Sequence, residues 1–241
     1  MNRYYYDLHI HSCLSPCADD DMTPANIAGM ASLKGLTLLA LTDHNSCRNC
    51  PAFFEACKAF GIVPVPGMEL TTAEDIHLIV LFPTLEQAMD FDAEIHPRIL
   101  PVKNRPDIFG NQWIVDSDDN LLQVEETLLI NATDLDVDSA IELVDRYGGV
   151  VYPAHIDRPS NGMIAVLGSV PKEYGFPCVE FNDMAQREKI LSEQGLDCTT
   201  LCSSDAHDLG RINEAEHFLE LEDEPYSSAL VRRRLIEFLK R

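Results

Sequence analysis

Six of the eight histidines fall at strand ends, in turns or beside carboxylates, where a chain can gather metal donors. His9 and His11 lie in Asp7-Leu8-His9-Ile10-His11-Ser12. Side chains two apart on an extended chain share a face, so both can reach one ion. Thr42-Asp43-His44-Asn45 directly follows an apolar run, and Gly67-Met68-Glu69 sets a carboxylate beyond another. His77 lies near the start of the apolar run 76–82, where a lone histidine is more often a core residue than a ligand. Pro153-Ala154-His155-Ile156-Asp157-Arg158 and Ser203-Ser204-Asp205-Ala206-His207 complete the set, with Asp205 and His207 again two apart. His96, beside Pro97, and His217, in a Glu-rich segment, read as surface residues. Imidazoles mixed with a few carboxylates are the donors of a divalent-metal centre.

Donors so scattered need a scaffold that brings strand ends together. Strand patterns over residues 4–10, 36–41, 62–65, 76–82, 150–152, 179–182 and 198–202 alternate with helical patterns over 25–34, 51–60, 85–94, 139–147, 187–194 and 229–240. Thr23-Pro24 supplies an N-cap and a first-turn proline, and Gly35 stops the first helix. Repeated β-then-α units predict a parallel sheet or a barrel, whose strand ends at the carboxyl face gather an active site. The rhythm breaks over residues 97–138, which hold Pro97, Pro101 and Pro106 and a hairpin turning at residues 118–120. That stretch is too short to bury its own core, so it reads as an insertion on one domain spanning residues 1–241, with Trp113 packed inside it.

Charge limits the partners. Forty acidic against eighteen basic residues give a net charge of −22. Such a field repels phosphate backbones and anionic membranes, so neither long nucleic acid nor membrane is expected as a partner. A small anion is still admitted, because bound cations reverse the local sign. With no apolar leader at the start and no apolar run long enough to cross a bilayer, the expected location is the cytoplasm. The eight cysteines read as reduced thiols, Cys47 and Cys50 as two thiols in a loop, and the basic face of the last helix as solvated. Ser203 and Ser204 beside Asp205 and His207 lack the Gly-X-Ser-X-Gly elbow of a serine nucleophile.

In order, Asp-Leu-His-Ile-His-Ser, Thr-Asp-His-Asn, Gly-Met-Glu, Ala-His-Ile-Asp-Arg-Pro and Ser-Asp-Ala-His resemble the motifs of the PHP (polymerase and histidinol phosphatase) family over residues 7–207. The resemblance implies an α/β fold, a distorted (β/α)7 TIM-like barrel, carrying up to three zinc, manganese or iron ions. It implies one ion held by His9, His11, Glu69 and Asp205, with Glu69 bridging to a second bound by His77 and His155. A third would take His44 and His207 with a donor from the loop after His11. Counting from His11 points to Cys17, and counting back from Thr23-Pro24 points to Asp19. Cys17 favours zinc, whereas Asp19 also suits manganese or iron.

Clustered divalent ions lower the pKa of a shared water and neutralise charge in displacement, which phosphoester hydrolysis uses most fully. The expected reaction is attack of a metal-bridging hydroxide on a small phosphorylated metabolite or short nucleotide, with short oligonucleotides as further candidate substrates. Asp205 serves the catalytic centre, and Arg158 can fork onto phosphate or pair with a carboxylate. Asp7 and Asp43 orient ligands. The competing classes are a metal-dependent amide or ester hydrolase, which commonly uses a carboxylated lysine that these motifs lack, and a non-catalytic metal-stabilised module.

Overall fold

The computed structural model describes residues 1–241. The chain runs through β1 (Asn2–Asp7), α1 (Pro24–Leu33), β2 (Leu38–Leu41), α2 (Cys50–Ala59), β3 (Val63–Thr71), β4 (His77–Leu81) and α3 (Leu85–Ile95). A middle stretch holds α4 (Pro106–Phe109), β5 (Trp113–Val115) and β6 (Leu121–Val124). The remainder comprises α5 (Val137–Arg146), β7 (Val150–Pro153), α6 (Met163–Leu167), β8 (Cys178–Phe181), α7 (Arg187–Gln194), β9 (Thr199–Cys202), β10 (Phe218–Leu221) and α8 (Ser228–Leu239).

Six strands form a curled sheet in the order β10-β1-β2-β3-β4-β7, and β8 pairs with β9 in parallel. Two contacts join these arcs into a distorted barrel. Ile10 bridges Ala206 in parallel, and the Ile156 N–H donates to the Glu180 carbonyl at 2.9 Å. The interior holds Tyr6, Leu8, Val63, Ile79, Tyr152 and Leu201. Helix α8 joins this inner cluster through Val231, Leu235, Ile236 and Leu239, so its apolar stripe packs against the barrel while its arginines face outward or across. Arg232 donates to the Pro83 carbonyl and lies over the Phe54 ring.

An all-parallel sheet is not what forms. β3 pairs with β4 antiparallel, β4 with β7 antiparallel, and β10 with β1 antiparallel. For β4 the cause is the connection at residues 72–76, which is too short to hold a crossover helix and closes instead as a turn, with Asp75 at φ 65°. Strand β3 also runs well past residue 65, buried throughout, although Pro64 and Pro66 lie within its ladder to β2. Gly67 follows them: a Cβ there would stand 2.4 Å from the Val80 carbonyl oxygen, so only glycine lets the two backbones approach. Strand β10, unmarked in the sequence pattern, covers the outer edge of β1.

The expected hairpin forms as β5 and β6, with Asp119 in the left-handed turn at φ 62°. It lies close to the loop after His11. The Trp113 N–H donates to the Cys13 carbonyl at 2.8 Å, and Asn49 both donates to the Trp113 carbonyl and accepts from Val115. Arg48 joins Asp92 and Glu125 across the same junction. His96 is half-buried 3.2 Å from Glu125, and His217 is half-buried beside Tyr6, so both are less exposed than expected. No helix is long and apolar enough to cross a membrane.

Candidate metal centre

Strand alternation places most of the site. On β3 the inward face carries Val63 and Val65, and the same parity brings Glu69 inward. On β4 the inward Ile79 and Leu81 share parity with His77, and on β2 Leu38 and Ala40 share it with His44. Leu201 on β9 likewise predicts Asp205 inward. The end of β2 is tied to Glu69 itself, because the Glu69 N–H donates to Thr42 and Asp43 carbonyls and its carbonyl accepts from Asn45.

Other positions depend on irregular backbone. β1 ends at Asp7, so His9 and His11 stand beyond the ladder rather than inside a strand. The intervening Ile10, bridged to Ala206, keeps them facing together, with their Nε2 atoms 3.1 Å apart. His155 follows inward-facing Ala154 and would point outward by strict alternation. Its left-handed backbone, φ 29°, turns the ring back to 3.0 Å from Glu69 Oε1. Asp205 is also left-handed, at φ 51°. Each such residue costs about 1–3 kcal/mol and persists only when its surroundings impose it.

Glu69, fully buried, is the hub. Its Oε1 lies 2.7 Å from His77 Nδ1, 3.0 Å from His155 Nε2 and 3.4 Å from His9 Nε2. Its Oε2 lies 3.0 Å from His44 Nδ1 and 3.3 Å from His11 Nε2. Asp205 Oδ1 lies 3.2 Å from His9 Nε2 and 3.1 Å from His11 Nε2. Four donor atoms with metal bonds of about 2.0–2.1 Å stand about 3.3 Å apart at the corners of a tetrahedron. The separations of His9 and His11 from each other and from the Glu69 and Asp205 oxygens, 3.1–3.4 Å, are of that size, so the residues present fit a divalent ion. His44, Glu69 and His77 form a second such group, and His11, His44 and His207 a third. His207 stacks on His11 with ring centroids 4.2 Å apart.

The loop after His11 separates its two candidates. Cys17 is exposed on the wall of the cavity in front of the cluster, whereas Asp19 is exposed away from it and meets His207 only through its backbone N–H. That cavity, about 330 Å³, is also lined by Ile130, Ser160 and Asn161. Arg158 is half-exposed at its edge and pairs with Asp205 Oδ2. Behind the cluster, Asp43 accepts from Ser12 N–H and Oγ and from Ser15 Oγ, and Ser15 Oγ also meets His11 Nδ1 at 2.9 Å. Asp7 accepts from the N–H groups of Ser204 and Asn213, fixing the loop that carries Asp205; burial pushes its carboxyl up to about 6.

Charge inside the cluster is divided. Burial would lower His11, but Asp205 and Glu69 overcome it and lift the ring to about 9. Burial would lower His9 too, and Glu180, Asp205 and Glu69 hold it well above the usual imidazole range. Burial takes His44 down to about 4 and, with repulsion from His11, takes His207 down to about 3. Glu69 resists burial because His77, His9 and His44 hold it well below the carboxylate range. The metal-free centre is thus a buried array of imidazoles around two anionic carboxylates, and a divalent cation would replace the protons on His9 and His11.

One residue of the centre escaped the sequence reading. Glu180, in the middle of β8 and wholly buried, places Oε1 2.8 Å from His9 Nδ1. The available signal was a carboxylate inside a four-residue strand whose neighbours are all apolar or thiol.

This donor set is of the kind that can hold divalent metal ions, and comparison with known proteins agrees. Residues 7–159 match the PHP domain family, and the chain belongs to it. The lesion-specific endonuclease Q of Pyrococcus furiosus superposes over 99% of this chain and 56% of its own, with a TM-score of 0.71 and 19% identity. A candidate metal-dependent phosphoesterase of Bifidobacterium adolescentis superposes over 95% of both chains, with a TM-score of 0.59 and 18% identity. The 5'-3' exoribonuclease of Haemophilus influenzae is 30% identical over 97 residues, 39% of this chain and 31% of its own length. The chain spans less than half the length of the curated relatives it matches. At these identities the two solved structures establish the fold, a distorted TIM-like barrel.

Endonuclease Q has also been solved with a 27-mer duplex carrying an abasic lesion at its active site. The expectation that long nucleic acid is excluded therefore has no support. Net charge sums the whole surface, whereas a polyanion meets only one face of a barrel.

Proposed function

We propose that this protein is a metal-dependent phosphoesterase acting on a small phosphorylated metabolite or a nucleotide. The observation that carries this reading is the convergence of donor atoms from His9, His11, Glu69 and Asp205 beside an open cavity that Glu69 and Asp205 line. Bound divalent ions would supply a water acidic enough to ionise near neutral pH and would neutralise charge on a phosphoryl group. His9, His11, Glu69 and Asp205 would hold one ion. His77 and His155, sharing Glu69, would hold a second, and His44 with His207 a third completed by Cys17. Arg158 stands at the rim, where its guanidinium can exchange its pairing with Asp205 for a substrate oxygen. Ile130, from residues 97–138, lines the cavity, so that segment is assigned to substrate choice.

The test is hydrolysis of p-nitrophenyl phosphate, bis-p-nitrophenyl phosphate and duplex oligonucleotides with and without an abasic site, by protein loaded with manganese or zinc. We expect turnover of at least one phosphoester, reduced about a hundredfold or more by His9→Ala or Asp205→Ala with the fold retained. Equal rates in both variants would contradict the site assignment.

A further inference from the structure

Glu180 has a different place from the other acidic residues of the centre. It lies on the inward face of β8, with Cys178 two residues before it, and its side chain is wholly buried. Oε1 serves two groups at once: His9 Nδ1 at 2.8 Å and the His155 backbone N–H at 3.2 Å. Oε2 is buried with no hydrogen-bond partner in the protein. A carboxylate so placed is costly in a packed interior, and Glu180 is not among the groups whose donor atoms converge on one another.

We infer that Glu180 is the positioning residue of the centre, accepting the Nδ1–H of His9 so that the Nε2 lone pair faces Glu69 and Asp205. The proposal rests on the reading of that cluster as a metal site. An imidazole can offer only one nitrogen to an ion when neutral, and the hydrogen bond made by the other decides which. His9 has a carboxylate outside the cluster in that position. His11 differs, with the hydroxyl of Ser15 at its Nδ1. The same Glu180 oxygen also holds the backbone of His155, whose left-handed turn is what aims that ring at Glu69. One atom of β8 therefore fixes two donors on the opposite arc, His9 from the loop after β1 and His155 from the loop after β7.

The test compares Glu180→Ala with Glu180→Gln in the full chain. Zinc binding is measured by titration calorimetry, and His9 is observed in long-range 1H–15N spectra of the zinc-loaded protein. We expect zinc affinity to fall about 10–100-fold in the alanine variant and to stay within about threefold of wild type in the glutamine variant, whose amide oxygen still accepts from Nδ1–H. The Nδ1–H tautomer of His9 should be seen in wild type and Glu180→Gln and be lost in Glu180→Ala. Wild-type affinity and an unchanged tautomer in Glu180→Ala would overturn the proposal, as would equal losses in both variants. If the alanine variant does not fold, Glu180→Asp replaces it, since its shorter chain withdraws the carboxylate while keeping the charge, and the same outcomes decide. A wild type that binds zinc but cleaves no phosphoester would contradict the proposed function alone, because neither readout here requires turnover. A wild type that binds no zinc would overturn both.

Discussion

The two arcs of the barrel divide the labour unequally. The first, β1, β2, β3, β4 and β7, has β2, β3 and β7 buried along their whole length and carries His9, His11, His44, Glu69, His77 and His155 at or beyond its strand ends. The second, β8 and β9, is flanked by α7, a helix with no buried residue, and brings Glu180, Asp205 and His207. The family match ends at residue 159, before the second arc begins at Cys178. A centre of this kind is therefore not a property of either arc. The first supplies most of the nitrogen donors and the hub, and the second supplies the carboxylates that orient and complete them.

That division predicts unequal losses. Glu69→Gln touches every group in the hub, so we expect metal content to collapse and turnover to fall about a thousandfold or more. Asp205→Ala should remove turnover as well, yet leave His44, Glu69 and His77 able to retain metal. Elemental analysis of both variants separates the arcs, and equal metal content in the two would erase the distinction. Chelation comes next. Metal that binds only the folded chain adds about 4 kcal/mol of stability when present at about a thousand times its Kd, so stripping it should lower the unfolding temperature markedly.

Gly67→Ala tests the first arc without touching a donor. A Cβ 2.4 Å from the Val80 carbonyl forces β3 and β4 apart, costing about 1–3 kcal/mol, measurable by denaturant unfolding. The smallest effect concerns Glu125, outside both arcs. Burial would raise its pKa, but the Thr127 N–H, Arg48 and His96 together hold it lowered. A depressed carboxylate contributes stability above its unfolded value and loses it as pH falls through the folded one. The difference in unfolding temperature between wild type and Glu125→Gln should therefore shrink as pH drops below about 4.5.

Much of this was legible before any coordinates. Paired donors two apart, His9 with His11 and Asp205 with His207, encode a shared face, and the β-then-α rhythm encodes strand ends that converge. Direction of pairing was less legible, because a helical reading dominates until the five residues 72–76 are recognised as too few for a crossover. The full extent of β3 was hidden by Pro64, Pro66 and Gly67, residues that ordinarily end a strand. Glu180 was hidden for another reason: its function lies in what its partner does, and a single acidic residue within a short strand carries no spacing signature. Which of Cys17 and Asp19 lines the cavity was not legible either, because it depends on how one loop packs against His207.

The central claim is that His9, His11, Glu69 and Asp205 hold one divalent ion between the two arcs. Anomalous diffraction from crystals of the zinc-loaded protein tests it most directly. The account predicts a zinc peak about 2 Å from His9 Nε2, His11 Nε2 and the carboxylate oxygens of Glu69 and Asp205. Zinc bound elsewhere, with these four side chains still paired only to one another, would contradict it.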